Sequence, residues 1–321
     1  MHWKKLLLPL GFFALTFLIY GASIGNDFVV FDDDILIYAN PLVWSITPQT
    51  LWGIFTTYDP ELYIPLTLLT YQIEYALVGQ QAWLFHLNNL ILHTLNALLV
   101  YWFTRLLTRN QMIALGCGLL FAVHPLHTEA VAWASSRKDV LSTFFYLATL
   151  VLYLRYLDCH SDNKNVISSS SRDAMTAHRD RLYCWCLFLC GLGLLAKVSV
   201  ITLPVILLLI DDFRRRSWWQ RDVLLEKLPF FGLSVIFGII AMYGKRHMID
   251  VTSTSDKIVM AFKSSAFYFE KLFWPTELSV VYPFPGEIDA FAPAFLMPIV
   301  IVSVIVIVAL GCYRRIPTIF F

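Results

Sequence analysis

Charge is what this chain has least of for its length. Charged residues make up 15% of the 321 and hydrophobic ones 58%, where a soluble domain carries about 25% and about 45–50%. That balance excludes a water-soluble globule, because so much apolar surface must face lipid. The 24 basic and 23 acidic residues nearly cancel, leaving a net charge of +1. No basic excess is present to hold a nucleic acid, and the charges matter only by where they lie. Cysteine is scarce as well. Cys117, Cys184, Cys186, Cys190 and Cys312 fall in apolar segments and only Cys159 in a polar one, which argues against a disulfide framework or a metal site. No internal repeat of about 20–50 residues is visible. The apolar run behind Lys4 and Lys5 lacks a convincing small-residue cleavage site, so it reads as a retained first span.

What the chain does have is apolar runs: Leu6–Ala22, Trp83–Phe103, Met112–Val123, Val140–Leu157, Leu182–Ala196, Val198–Ile210, Leu228–Tyr243 and Pro293–Cys312. A full span needs about 20 residues, so the third, fifth, sixth and seventh must borrow flanking residues. Residues 182–210 read as two helices turning at Lys197, because Arg179 and Arg181 on one side and Arg214, Arg215, Arg216 and Arg221 on the other all favour the cytoplasm. With the N-terminus inside, 16 of the 24 basic residues fall on inner segments, as the positive-inside bias requires. The expectation is an all-α polytopic bundle of about eight spans, a single membrane domain over 1–321 with both termini inside.

Three outer segments are long enough to build a site. Ser23–Ala82 holds Asp32, Asp33 and Asp34, an amphipathic stretch at Thr50–Phe55 and an apolar one at Leu66–Leu77, predicted to lie against the membrane. His124–Asp139 is a short polar crossing. Gly244–Ala292 carries a predicted helix over Lys257–Phe273 and a proline-rich stretch, Trp274–Gly286. The polar inner stretch His160–Asp180 reads as a flexible loop.

Acids close to hydrocarbon are costly, so the aspartate run is a candidate site. A carboxylate there could take the proton of an acceptor hydroxyl as its oxygen attacks an activated carbon; a solvated acidic loop or a Ca²⁺ contact is the plainer alternative. In an extended segment alternate side chains face opposite ways, so not all three acids can serve one site. His124, His127 and Glu129 bring two imidazoles and a carboxylate to an outer helix end. Their order is not that of a zinc protease, and Pro125 breaks the helical spacing, so a structural or substrate-orienting role is favoured over metal. Arg137, Lys138 and Lys197 are outer cations near span ends, placed either to hold a lipid-linked phosphate or simply to snorkel. Of the outer aromatics Tyr58, Tyr63, Trp274, Tyr282 and Phe284, most belong to an interfacial belt, and a few could stack on a sugar.

The strings FDDDILIYANPLV, YIPLTLLTYQIEYALVG, FHLNNLILHTLNALLVYWF, LFAVHPLHTEAVAWASSRKDVLSTFFYLATLVLYLRY, LGLLAKVSVITLPVILLLID and KLFWPTELSVVYPFP resemble the membrane half of the transmembrane and tetratricopeptide-repeat family, which includes O-mannosyltransferases. The resemblance runs from about Phe28 to about Pro285 and is most specific in the His-Pro-x-His-x-Glu crossing and the Tyr-Pro-Phe-Pro string. It implies a GT-C glycosyltransferase: a multi-span bundle with its active site on the periplasmic or lumenal face, in a bacterial inner membrane or the endoplasmic reticulum. The implied reaction is inverting transfer from a polyprenyl-phosphate sugar to a protein or glycan hydroxyl, with no metal or other cofactor. Carried over residue by residue, it makes Asp32 or Asp33 the base, Asp33 being the first choice. Arg137, Lys138 and Lys197 become the donor-phosphate contacts, and Glu129, His124 and His127 orient acceptor or sugar. Two departures stand out. Ile64 occupies a position where family members often have arginine, and the family's further spans and repeats do not follow Phe321, so the chain is expected to be a truncated or split product. A catalytically inactive remnant or assembly subunit is the rival reading. An outward-facing transporter would want more mid-span ionisable residues than Lys197 and Glu74.

Overall fold

The computed structural model describes residues 3–59, 61–163, 169–217, 219–245, 253–282, 285 and 288–312, and every regular element among them is helical. Two compact units emerge: Met1–Asp212 with Arg216–Arg246, and Phe213–Arg215 with His247–Phe321.

The first unit is a bundle threaded by α1 (Trp3–Tyr20), α4 (Ala82–Thr108), α5 (Gln111–Val123), α7 (Arg137–Asn163), α8 (Ser169–Ala196), α9 (Leu203–Phe213) and α10 (Arg221–Gly244). Local chemistry sets the joints. Arg109 ends α4 in the left-handed region at φ 58°, and Asn110 then starts α5 by accepting from the Met112 and Ile113 N–H groups, so the two helices fold back on each other. Gly118 brings α5 against α1 and α4, since a Cβ there would sit 2.9 Å from Phe12 Cζ and 3.0 Å from Tyr101 Cβ. The chain turns at Lys197, whose backbone is extended between the end of α8 and a 3₁₀ turn, Val198–Thr202.

Among the described residues, five helical stretches are long and apolar enough to cross a membrane: Leu7–Gly25, Ala82–Thr108, Ala134–Cys159, Arg221–Gly244 and Pro293–Gly311. This is an integral membrane protein. The other three expected spans fall on α5 with 13 residues, α9 with 11, and the apolar half of α8; at 1.5 Å per residue, α5 rises about 20 Å against a hydrocarbon core of about 30 Å.

One expectation is corrected. The inner stretch His160–Asp180 is not a flexible loop. α7 runs on to Asn163 and α8 starts at Ser169, while 164–168 lie outside the described residues. Helices continue past the apolar limit because their backbone bonds are local and indifferent to what the side chains face. The apolar segment Leu66–Leu77 is helical. It is α3 (Pro65–Val78), packed into the bundle beside α8 and α4. Its inward face is polar as well as apolar: Tyr71 Oη donates to Ala134 O at 3.0 Å, Gln72 Nε2 to Leu42 O at 2.9 Å and Thr67 Oγ1 to Ala196 O at 3.0 Å. Ile64 stands just before α3 in an apolar core with Leu36, Ile37, Ile54, Leu68 and Phe85. The amphipathic stretch is α2 (Pro48–Thr56), opened by a capping box between Thr47 and Thr50.

In the second unit α11 (Thr254–Phe273) packs along α12 (Pro293–Cys312), with Lys263 Nζ 4.4 Å from the Phe295 ring centroid. Tyr282 packs edge-on against Phe267 at 4.7 Å. Pro283, Phe284 and Gly286 of the proline-rich stretch, together with Arg314 and Arg315, lie outside the described residues.

Candidate active site

One short connection organises the charged residues. Between α6 (His127–Ala132) and α7, residues 133–136 are pinned from three directions. Asn89 Nδ2 of α4 donates to Trp133 O at 2.8 Å, Tyr71 Oη of α3 to Ala134 O at 3.0 Å, and Ser135 N to Asp33 Oδ1 at 2.9 Å. Arg137, Lys138 and Asp139 follow as the first turn of α7. Cations oppose the positive end of a helix macrodipole, so the local backbone is not what retains two of them there.

The aspartate run splits by direction. Asp33 is fully buried and saturated: Ser135 donates to it through both backbone N–H and hydroxyl, and Val29 N donates to Oδ2 at 3.0 Å. Asp32 points the other way, its side chain 41% exposed, and receives Lys138 Nζ at 3.3 Å. Lys138 also donates to Ser135 O at 3.1 Å and sits 5.5 Å from the Trp133 ring. Asp34 opens a turn of π-helix, Asp34–Tyr38, on the protein side of the loop.

The three expected phosphate contacts also divide. Arg137 is buried among Glu74, Asn89, Thr70 and the Phe85 carbonyl, and all five of its N–H groups are committed to them. Asn88 donates to the same Glu74 at 2.5 Å. Arg137 is therefore an internal clamp tying α7 to α3 and α4, with no donor left for a ligand. Lys197 lies at the bend after α8 and pairs with Asp139, both partly exposed. Glu129 belongs to the same field: partial desolvation and the Asp139 charge hold its carboxyl above the usual range, against the pull of Lys138 and Lys197. Asp32, Glu129, Lys138, Asp139 and Lys197 thus come from four separate segments to one end of the bundle.

The histidines stack rather than converge on a point. His127 lies 4.2 Å from the Phe121 ring, 5.2 Å from His93 and 6.2 Å from His124, centroid to centroid, and the His124 carbonyl accepts from Tyr20 Oη at 3.2 Å. Burial first, then the His93 and His124 rings, push the His127 imidazole down to about 4 from 6.5, so it is neutral at physiological pH. The unfolded chain takes up this proton near 6.5 and the folded one only near 4. His127 therefore stabilises the fold above 6.5, and that contribution is lost as pH falls through about 4. His127→Gln is expected to flatten the fall in melting temperature between pH 6.5 and 4 in detergent; an unchanged profile would refute the assignment.

Known proteins match part of the chain. Over 152 residues, 44% of the chain, it is 37% identical to the human protein O-mannosyl-transferase TMTC1. Over that stretch the chain is similar to the TMTC protein O-mannosyl-transferases. It is 32% identical to human TMTC2 over 151 residues, again 44% of the chain. The longest of the three matches, 32% over 213 residues and 64% of the chain, is to Tmtc2 of Drosophila melanogaster. The chain spans only about a fifth of these relatives, 17%, 18% and 21% of their respective lengths. No family model matches the chain, and no solved structure does.

Two residues and a four-residue stripe also take part, beyond those singled out from the sequence. Asp139 follows two basic residues, and an acid in the first turn of a helix is favourably placed. Ser135 gave no sign at all, being one of several serines. The stripe His86, Asn89, His93 and Asn96 on α4 is buried throughout. It was legible, because polar residues at three- and four-residue spacing inside an apolar span mark one helix face.

Proposed function

We propose that this chain transfers a mannose-like sugar from a polyprenyl-phosphate donor to a hydroxyl of a protein or glycan, on the periplasmic or lumenal side of its membrane. The observation that carries this reading is the pairing of exposed Asp32 with Lys138, and of Asp139 with Lys197, at one end of a membrane bundle. A base and phosphate-holding cations must bracket the reactive sugar carbon, and these residues supply both. Asp32 takes the proton of the acceptor hydroxyl as that oxygen attacks the anomeric carbon from the face opposite the phosphate. The bond from carbon to phosphate oxygen breaks, its electron pair stays on the phosphate, and Lys138 and Lys197 stabilise the charge that develops. Asp33 locks the Ser135 turn beneath them, Arg137 fixes α7, and neutral His127 with His124 and Glu129 shapes the acceptor side.

Two measurements test this. Purified full chain, given polyprenyl-phosphate mannose and a serine- or threonine-containing peptide, is expected to release polyprenyl phosphate in step with mannosylated peptide. No transfer at saturating donor would overturn the activity and leave the inactive-subunit reading. In a background without the six native cysteines, a cysteine at position 57 should react with an impermeant reagent from the outer side and one at position 180 should not; the reverse pattern would refute the sidedness.

A further inference from the structure

The reaction above needs Asp32 unpaired and both lysines open to a phosphate, yet neither is so in this structure. Lys138 Nζ is shared between Asp32 Oδ2 at 3.3 Å and Ser135 O at 3.1 Å, and Lys197 Nζ is held by Asp139. Three carboxylates, those of Asp32, Asp139 and Glu129, act on these two ammonium groups. Arg137, the neighbouring guanidinium, has every N–H engaged. An arriving anion therefore cannot simply add to the cluster; it has to exchange with a carboxylate already there.

The ion pairs of the bundle differ in whether exchange is feasible. Arg137 with Glu74 is sealed, with side-chain exposures of 1% and 4%, whereas Lys197 and Asp139 are 31% and 40% exposed, and Asp32 is 41% exposed beside a Lys138 at 10%. Water can take over each released carboxylate at the open pairs, so little is lost when a phosphate replaces it. Lys138 and Asp139 are consecutive residues in the first turn of α7, so both pairs are anchored on that turn, and both lysines act on the Glu129 carboxyl.

We propose that the Asp32–Lys138 and Asp139–Lys197 pairs form a latch opened by the donor: its phosphate displaces both carboxylates from the lysines, and the released Asp32 then serves as base. This deepens the reading above and rests on it. The consequence is an order of events, donor first and acceptor deprotonation second, in which the charge that binds the donor also withholds the base until the donor has arrived. It also gives Asp139 a positioning role: it holds Lys197 in place in the empty site and yields it on binding.

The test is direct binding of a polyprenyl monophosphate, with the matching uncharged polyprenol as control, to the full chain in detergent micelles. Asp32→Asn and Asp139→Asn are each expected to bind the phosphate about two- to five-fold more tightly than wild type, the exchange value of a part-exposed pair. That gain should vanish when Lys138→Gln or Lys197→Gln, respectively, is added, which a merely structural role would not produce. Should one aspartate variant fail to fold, as judged by its melting curve, the other pair decides. Unchanged or weaker phosphate binding in the Asn variants, with wild type still preferring phosphate to polyprenol, would overturn the latch and leave the donor assignment standing. No preference for phosphate over polyprenol in any form would overturn the donor assignment, and the latch with it.

Discussion

Asp32→Asn is expected to lower sugar transfer by about 10²–10⁴-fold, the usual loss for a removed general base, with melting temperature and membrane insertion nearly unchanged. The amide keeps the size of the carboxylate but cannot accept the proton. Little stability is at stake, because Asp32 is part-exposed and Lys138 keeps the Ser135 carbonyl as a partner, so the pairing is worth about 1 kcal/mol after solvent screening. Asp33→Asn should behave in the opposite way. Its carboxylate accepts from Ser135 N, Ser135 Oγ and Val29 N in a fully buried position. In either orientation an amide would turn its NH₂ toward a backbone N–H, of Val29 or of Ser135, which only donates, and mispairing a buried polar group costs about 1–3 kcal/mol. Transfer rates and melting curves of the two variants, measured side by side, separate base from anchor. Full activity in Asp32→Asn together with an inactive but stably folded Asp33→Asn would return the base role to Asp33, the first choice on sequence grounds.

The largest stability effect is expected at the other end of the same turn. Arg137→Met should destabilise the bundle by about 3–5 kcal/mol, because it leaves Glu74 as a buried charge without its partner. Asn88 would then be its remaining hydrogen-bond donor in this arrangement. Replacing both members, Glu74→Leu with Arg137→Met, should recover most of that loss, since a buried ion pair is often no more stable than the apolar side chains that could fill its place. Melting temperatures of the two single variants and the double form a cycle that reads the coupling. A single Arg137→Met chain that folds as well as wild type yet binds donor poorly would mean that the guanidinium contacts phosphate after all.

Much of this was legible in the sequence. Lipid imposes a simple rule on a chain, apolar residues facing it and backbone bonds made internally, so eight apolar runs marked where eight helices stand, including the bend at Lys197. Clustering of charge at span ends was equally visible, since acids and lysines beside hydrocarbon are too costly to occur without a reason. The motif strings then pointed to the same group of enzymes that the matched stretch resembles. What the sequence could not do was assign neighbours different duties. Asp32 and Asp33 are chemically identical and adjacent, and Arg137 and Lys138 are adjacent cations. Asp33 and Arg137 turn into the protein while Asp32 and Lys138 meet each other, and those directions are set by residues far away in the chain. Ser135 draws Asp33 inward across 102 positions, and Glu74 and Asn89 draw Arg137 inward across 63 and 48. The sequence by itself determined a membrane bundle with charge gathered at one end. Only the tertiary structure decided which charges are buried supports and which remain free to exchange, because burial and pairing belong to segments brought together by folding and to no single residue.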